Sequence, residues 1–111
     1  MVKLRSLDRT FSALSDPTRR DILQRLTRGP ATVSELGRPY RLSLPGIMKH
    51  VRILEDARLL MTAKTGRVRE CQLGPGGLDD VTEWIELYRR SWQRRLDRLE
   101  HYVKRTREGG T

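Results

Sequence analysis

Residues 32–60 read TVSELGRPYRLSLPGIMKHVRILEDARLL, and the helix and turn signals in this segment are the most informative about the fold class. Thr32 and Glu35 have the spacing of a capping box, in which the threonine hydroxyl and the glutamate carboxylate each satisfy a free amide at the start of a helix. The helix that follows is short, because Arg38 precedes Pro39 and the residue before a proline is displaced from helical geometry. We therefore expect a short helix and then a turn over residues 39–42.

A second helix in this stretch is predicted to begin at Ser43. Serine is a favourable N-cap residue, and Pro45 is tolerated in the first turn, where backbone amides lack partners within the helix. The apolar residues recur at spacings of three, four and three, which predicts one buried face formed by Leu44, Ile47, Val51 and Leu54.

The opposite face of this helix is predicted to be basic and slim. Lys49 lies opposite the apolar residues, Pro45, Gly46 and Arg52 flank it, and His50 lies nearer to the boundary. Glycine has no side chain, so the helix backbone could approach another surface closely at this point. The free amides and the positive dipole at the helix N-terminus would attract phosphate.

Two further helices are predicted ahead of this stretch. The first, over about residues 3–15, has an apolar face at helical spacing that includes Leu7 and Phe11. The second lies between an N-cap at Asp16 and the dipeptide Gly29-Pro30, which ends it.

A hairpin and a long helix are predicted after this stretch. Residues 60–65 and 68–73 favour two β-strands joined at Gly66-Arg67. The tip of this hairpin is basic, with Lys64, Arg67 and Arg69. Residues 74–77, Gly-Pro-Gly-Gly, interrupt the chain like a linker, and a final helix is expected over about residues 78–106.

The order of these elements is that of a winged helix-turn-helix, in which the second helix of the motif enters the DNA major groove and the hairpin reaches the flanking backbone. We predict a mainly α-helical fold with five helices and a small β-hairpin wing. Residues 1–111 are expected to form a single domain, with the DNA-reading part at about residues 32–73 and dimerisation helices at about 3–15 and 78–106.

The charge of the chain points to a polyanionic partner. The formal net charge is +9, and residues 79–111 hold eight basic and seven acidic residues, so residues 1–78 carry +8 of it. Eight basic residues against Glu55 and Asp56 fall within residues 38–69, which is where we place the anion.

Several classes of protein are disfavoured. The sequence has no apolar run near the roughly 20 residues that span a bilayer, so we expect a cytoplasmic protein without membrane contact. Cys71 is the only cysteine, which precludes an internal disulfide. We predict that the protein is not an enzyme, because no nucleophile with a nearby base, no carboxylate pair and no phosphate-binding glycine loop is evident.

The final helix is predicted to form a dimer interface. Its apolar residues recur every three or four positions over about six turns, more than one small domain could easily cover. They are Val81, Ile85, Tyr88, Trp92, Leu96, Leu99 and Val103. Large aromatic side chains contribute strongly to buried contacts, so we expect Trp92 to anchor a homodimer, with Leu7 and Phe11 of the first helix assisting.

The sequence strongly resembles the arsenic-repressor (ArsR) family of bacterial regulators. The resemblance rests on ALSDPTRRDILQRL at residues 13–26, on residues 32–60 and on the wing with Gly66-Arg67, and it is most specific in SLPGIMKHVRILE at residues 43–55. Arg58 departs from the pattern, since the family commonly has glycine at this helix-ending position, which favours left-handed geometry.

The resemblance implies a winged-helix homodimer that joins through its terminal helices, reads an inverted-repeat operator in double-stranded DNA and usually represses transcription. It implies that the DNA-reading residues are Ser43, Pro45, Gly46, Lys49, His50 and Arg52, with Lys64, Arg67 and Arg69 as wing contacts to the DNA backbone.

Metal-sensing members of the family carry a cysteine pair on the helix before the turn, or Asp, His and Glu ligands on the last helix. Neither pattern occurs here, so we expect no metal and no cofactor. Three alternatives stay open. The chain could be a winged-helix interaction module without specific DNA binding, a member that responds to metal or to oxidation of Cys71, or one that responds to an unidentified small molecule.

Overall fold

The computed structural model describes residues 2–109, with side chains from Arg5 to Gly109. By their contacts these residues form two compact units, one up to Val81 and one from Thr82 onwards. The described residues contain five α-helices, as predicted. The elements are α1 (Val2–Leu14), α2 (Pro17–Leu26), β1 (Ala31–Thr32), α3 (Val33–Gly37), a 3-10 turn (Arg38–Tyr40), α4 (Leu44–Asp56), β2 (Leu60–Thr65), β3 (Val68–Leu73) and α5 (Asp79–Gly109).

Side-chain caps begin three of these helices at the residues that the sequence indicates. The Asp16 carboxylate accepts the Arg19 N–H at 3.0 Å, Thr32 Oγ1 accepts the Glu35 N–H at 3.1 Å, and Ser43 Oγ accepts the Gly46 N–H at 3.3 Å. The capping box of α3 is only half as predicted. The Glu35 carboxylate accepts the Thr32 hydroxyl at 3.1 Å instead of a backbone amide.

The sheet has three strands in the order β1-β3-β2, and both pairings are antiparallel. The β2–β3 hairpin is confirmed, with Leu60 opposite Leu73 and Thr65 opposite Val68. Gly66 in its turn has φ +63°, which glycine adopts without steric cost. The sequence did not predict β1, because two residues are too few to leave a periodic pattern.

The core of the first unit lies where α2, α3, α4 and the sheet meet. Its fully buried members include Ile22, Ile47, Val51 and Leu54. Leu44 was expected on the same face of α4, and that expectation is wrong, since its side chain is 60% exposed. Leu44 is the first residue of α4. Helix α3 packs closely against α4 at Ile47, because the Ile47 Cβ lies 3.2 Å from the position that a Cβ on Gly37 would take.

Residues 74–77 are packed and do not behave as a free linker. The Gly74 N–H donates to the Leu59 carbonyl at 2.9 Å, and the Gly77 N–H donates to the Arg58 carbonyl at 3.1 Å. A Cβ on Gly74 would lie 2.5 Å from the Arg58 carbonyl oxygen, and one on Gly77 would lie 2.7 Å from Leu59 Cδ2. The glycines are therefore required because this segment lies against the backbone that follows α4.

Arg58 has φ 63°, so the position keeps the left-handed geometry that a glycine would favour. We expect Arg58→Gly to raise the free energy of unfolding by about 1 kcal/mol, because glycine adopts this geometry without the Cβ clash of an L-residue. Urea denaturation measures the change. Arg38→Gly is the matched control, since Arg38 has φ −56° and its replacement should lower stability. A loss of stability in both variants would contradict the argument.

In the second unit, α5 carries its apolar residues on the surface. From Ile85 to Val103 the predicted seam residues are 43–59% exposed, namely Ile85, Tyr88, Trp92, Leu96, Leu99 and Val103. No helix within residues 2–109 is both long and apolar enough to cross a membrane.

Candidate nucleic-acid interface

Helix α4 presents a cationic face to solvent. Pro45, Lys49 and Arg52 are all exposed, and their spacings of four and three place them on one side of the helix. Among the described residues, neither Lys49 nor Arg52 has a hydrogen-bond or ion-pair partner. Gly46 lies on the first turn beside the Ser43 cap, where a Cβ would approach Ser43 Oγ to 3.3 Å. This face of α4 is therefore charged and exposed to solvent, and near the helix N-terminus no side chain projects from Gly46.

A cleft of about 320 Å³ separates α4 from the hairpin. Leu44 and Met48 line it from α4, and hydroxyl-bearing Thr32 and Ser34 line it from the start of α3. The hairpin side is basic and contributes Lys64, Arg67 and Arg69. The structure therefore brings the predicted wing residues to one cleft beside α4, and two of them, Lys64 and Arg67, are exposed.

Arg69 differs from the other two wing residues because it is held within the protein. Its guanidinium donates to Thr62 Oγ1 at 3.0 Å, and the Thr62 hydroxyl donates to the Glu55 carboxylate at 2.7 Å. This chain of hydrogen bonds joins β3 through β2 to α4. Arg69 thus braces the wing against α4, a role that the sequence pattern does not reveal.

The turn before α4 adds two basic residues that the sequence analysis counted within the basic stretch of residues 38–69 but did not include among the DNA-binding residues. Arg38 and Arg41 are exposed and line a hollow of about 390 Å³ that also includes Leu44 of α4. Arg41 has a left-handed backbone conformation, with φ 53°, and lies two residues before the Ser43 N-cap. The signal that could have found them is their position, two basic residues in the turn that precedes the capped helix.

His50 is held against the corner between α1 and α2. Its side chain is 21% exposed, and its Nδ1 lies 3.3 Å from a guanidinium nitrogen of Arg19 and 3.9 Å from a carboxylate oxygen of Asp16. The hydrogen bond from the Arg19 N–H, aided by the positive charge of the Arg19 guanidinium, lowers the pKa of Asp16, so its carboxylate is ionised. The sequence placed His50 at the edge of the buried face, and the structure adds these partners.

The predicted dimer residues fall into two groups. Leu7 and Val81 are only 9% and 6% exposed within the first unit, so they contribute to that unit's own packing. Phe11 of α1 is 41% exposed, and the remaining seam residues on α5 are exposed as well. The Tyr88 ring stacks on Trp84 at a centroid distance of 5.6 Å and meets the edge of Trp92 at 6.2 Å. The aromatic residues therefore form a continuous exposed strip along α5.

Cys71 lies fully buried in β3. Burial raises the pKa of this thiol from 9.0 to about 11, and the Glu55 charge adds to the shift. The reactive species is the thiolate, and it is scarce at neutral pH.

Within residues 2–109, no group of three His, Cys, Asp or Glu side chains is arranged to hold a metal ion.

We expect Cys71 in the native protein to react with an aromatic disulfide reagent at least ~100-fold more slowly than in denaturant, because the raised pKa lowers the thiolate fraction and burial blocks access. The release of the coloured thiol at pH 7.5 measures both rates. Equal rates in a protein that is still folded would revive the oxidation-responsive alternative.

The helix-turn-helix geometry, the basic reading face and the wing define a winged helix-turn-helix transcriptional regulator. The sequence profile of a helix-turn-helix domain family matches residues 14–63. An HTH-type transcriptional regulator of Mycobacterium tuberculosis is 40% identical over 96 residues, which cover 86% of this chain and 87% of that protein. The arsenical resistance operon repressor of Staphylococcus aureus is 30% identical, with 81% and 86% of the two chains covered. The crystal structure of an ArsR family transcriptional regulator superposes with a TM-score of 0.76 at 45% identity, covering 80% of this chain and 92% of that one. The chain belongs to the ArsR family of transcriptional regulators.

Proposed function

We propose that this ArsR-family regulator binds an inverted-repeat operator in double-stranded DNA as a homodimer, without a metal or cofactor, and represses transcription in the cytoplasm. The observation that carries the proposal is the exposed face of α4, where Lys49 and Arg52 have no partner among the described residues and lie on the same side as Pro45.

The reading helix suits the major groove in size and charge. Its 13 residues correspond to a length of about 20 Å at 1.5 Å per residue. Arginine and lysine are the side chains that most often contact guanine O6 and N7. Arg52 and Lys49 are therefore the base-reading candidates, while Ser43, Pro45 and Gly46 bring the capped end of α4 close to a phosphate.

The wing supports a second contact to the DNA backbone. Lys64 and Arg67 are exposed at the hairpin, beside the cleft that separates it from α4. A DNA strand that follows the groove past α4 would bring its phosphates to this basic side. Arg69 contributes mainly by bracing the wing through Thr62, and Arg38 and Arg41 extend the basic surface on the other side of the N-cap.

The exposed aromatic strip on α5 supports the homodimer. Leaving several large apolar side chains about half exposed on one helix is unfavourable in water, and a second copy of the same strip would cover them. A twofold dimer places its two reading helices about one DNA turn apart, roughly 34–36 Å, which is why the operator is proposed to be an inverted repeat. Repression is supported by the relatives that are named repressors.

Selection from random duplex DNA tests the proposal. The bound fraction is sequenced, and the affinity for the enriched sequence is then measured at two salt concentrations, where phosphate contacts predict a steep decrease. An enriched inverted repeat that Arg52→Ala no longer recovers is the expected result. Absence of any enrichment, with all binding lost in salt, would favour the interaction-module alternative and overturn the operator proposal.

A further inference from the structure

Arg19 connects three helices through one side chain. Its Nε donates to the Ala13 carbonyl at 2.7 Å and a terminal nitrogen donates to the Ser12 carbonyl at 3.1 Å, both at the C-terminal end of α1. The other terminal nitrogen lies 3.3 Å from Nδ1 of His50 on α4. With its own N–H bound to the Asp16 cap, Arg19 is fixed in place by both α1 and α2.

This geometry determines the protonation of the histidine ring. A guanidinium is always protonated and can only donate, so His50 Nδ1 must accept the hydrogen bond with its lone pair. A neutral imidazole whose Nδ1 accepts carries its proton on Nε2. The Asp16 carboxylate oxygen, at 3.9 Å from Nδ1, is too distant for a competing hydrogen bond.

The second ring nitrogen faces solvent. Every buried side-chain nitrogen or oxygen among the described residues has a hydrogen-bond partner. Nε2 of His50 has no partner within residues 2–109, and the side chain is 21% exposed. Nε2 is therefore accessible, on the helix that carries Lys49 and Arg52.

We propose that Arg19 is a positioning residue for DNA binding: it fixes His50 in the Nε2–H form, so that α4 presents a neutral hydrogen-bond donor to an acceptor on duplex DNA. The inference rests on the proposed function, since it specifies how His50, one of the residues expected to read DNA, would contact it and which residue positions its ring. It also gives a role to the corner between α1 and α2, where Arg19 contacts the histidine ring at Nδ1.

The tautomer is measured first, in the free protein, by long-range ¹H–¹⁵N correlation of the histidine rings at pH 7.5. His50 is expected to show the pattern of the Nε2–H form, and Arg19→Gln should convert it to a mixture of forms. Arg20→Gln is the matched control, because Arg20 donates to the Leu14 carbonyl of α1 at 2.7 Å and makes no contact with His50. A dominant Nδ1–H form in the wild-type protein would overturn the proposal even if Arg19→Gln fails to fold.

The effect on DNA is measured with a double-mutant cycle on the selected operator. We expect His50→Ala and Arg19→Gln each to weaken binding about 2- to 10-fold, the range of one neutral hydrogen bond, and the double variant to lose little more than either. A neutral donor releases no counterion, so the salt dependence should stay that of the wild type. Fully additive losses, or the same loss in Arg20→Gln, would overturn the proposal.

The type of acceptor follows from the same titrations. A uniform loss over all operator variants indicates a phosphate oxygen, and relaxed preference at one position indicates a base edge; either result supports the donor assignment. Failure of the proposed function can be told apart from failure of this inference. If the proposed function is wrong, the selection enriches no operator, and if this inference is wrong, His50 in the free protein does not show the Nε2–H form.

Discussion

Replacement of Lys49 or Arg52 by alanine should weaken operator binding about 5- to 150-fold, while the fold and the oligomeric state stay unchanged. A contact from either side chain to a guanine edge contributes roughly 1–3 kcal/mol of discrimination, which corresponds to that range. The two side chains are exposed and have no described partner within the protein, so their loss removes a DNA contact without disturbing the core.

Fluorescence anisotropy with the selected operator and with a scrambled duplex measures this effect. Arg28→Ala is the matched control, since Arg28 is exposed just beyond the end of α2, does not line the cleft between α4 and the hairpin, and its replacement removes the same charge. A base contact lowers the affinity for the operator more than for the scrambled duplex. If both α4 variants bind the operator with wild-type affinity, α4 is not the helix that reads the DNA.

Trp92→Ala should shift the protein from dimer to monomer. Trp92 lies at the centre of the α5 seam, is 48% exposed and meets Tyr88 at 6.2 Å, as expected for an aromatic anchor. Truncation of such an anchor commonly costs about 2 kcal/mol or more, so the dimer dissociation constant should rise at least ~30-fold. A monomer has one reading helix, so operator affinity should fall as well.

Sedimentation velocity over a range of concentrations measures the dissociation constant. Arg94→Ala is the control, because Arg94 lies two positions further along the same helix, outside the seam. It should leave the dimer unchanged. A Trp92→Ala protein that sediments like the wild-type dimer would place the interface on another surface.

Much of the secondary structure of this protein can be predicted from its sequence, because it depends on interactions between residues that are close together in the chain. The caps at Asp16, Thr32 and Ser43 act within three residues of themselves, so the helix starts follow from the order of residue types. The hairpin follows from alternation around Gly66-Arg67 for the same reason. The basic face of α4 is set by helical periodicity alone, which is why its residues could be named without coordinates.

Features that depend on distant parts of the chain were missed or wrong. The pairing of β1 with β3 joins Ala31 to Cys71, which lie far apart in sequence. The packing of residues 74–77 depends on the backbone after α4, and the exposure of Leu44 is not set by its spacing from Ile47 and Val51. No periodicity within one segment contains this information.

The five helices, the hairpin and the cationic face of α4 could be predicted without the structure, because each follows from short-range backbone preferences and from the distribution of charge. The family was inferred from the resemblance of residues 13–26, of residues 32–60 and of the wing. Which basic side chains are available to DNA could be learned from the folded structure and not from the sequence. The folded structure tied Arg69 to Thr62 and Arg19 to His50, and it left Lys49 and Arg52 without described partners, because hydrogen bonds between separate elements depend on how those elements pack.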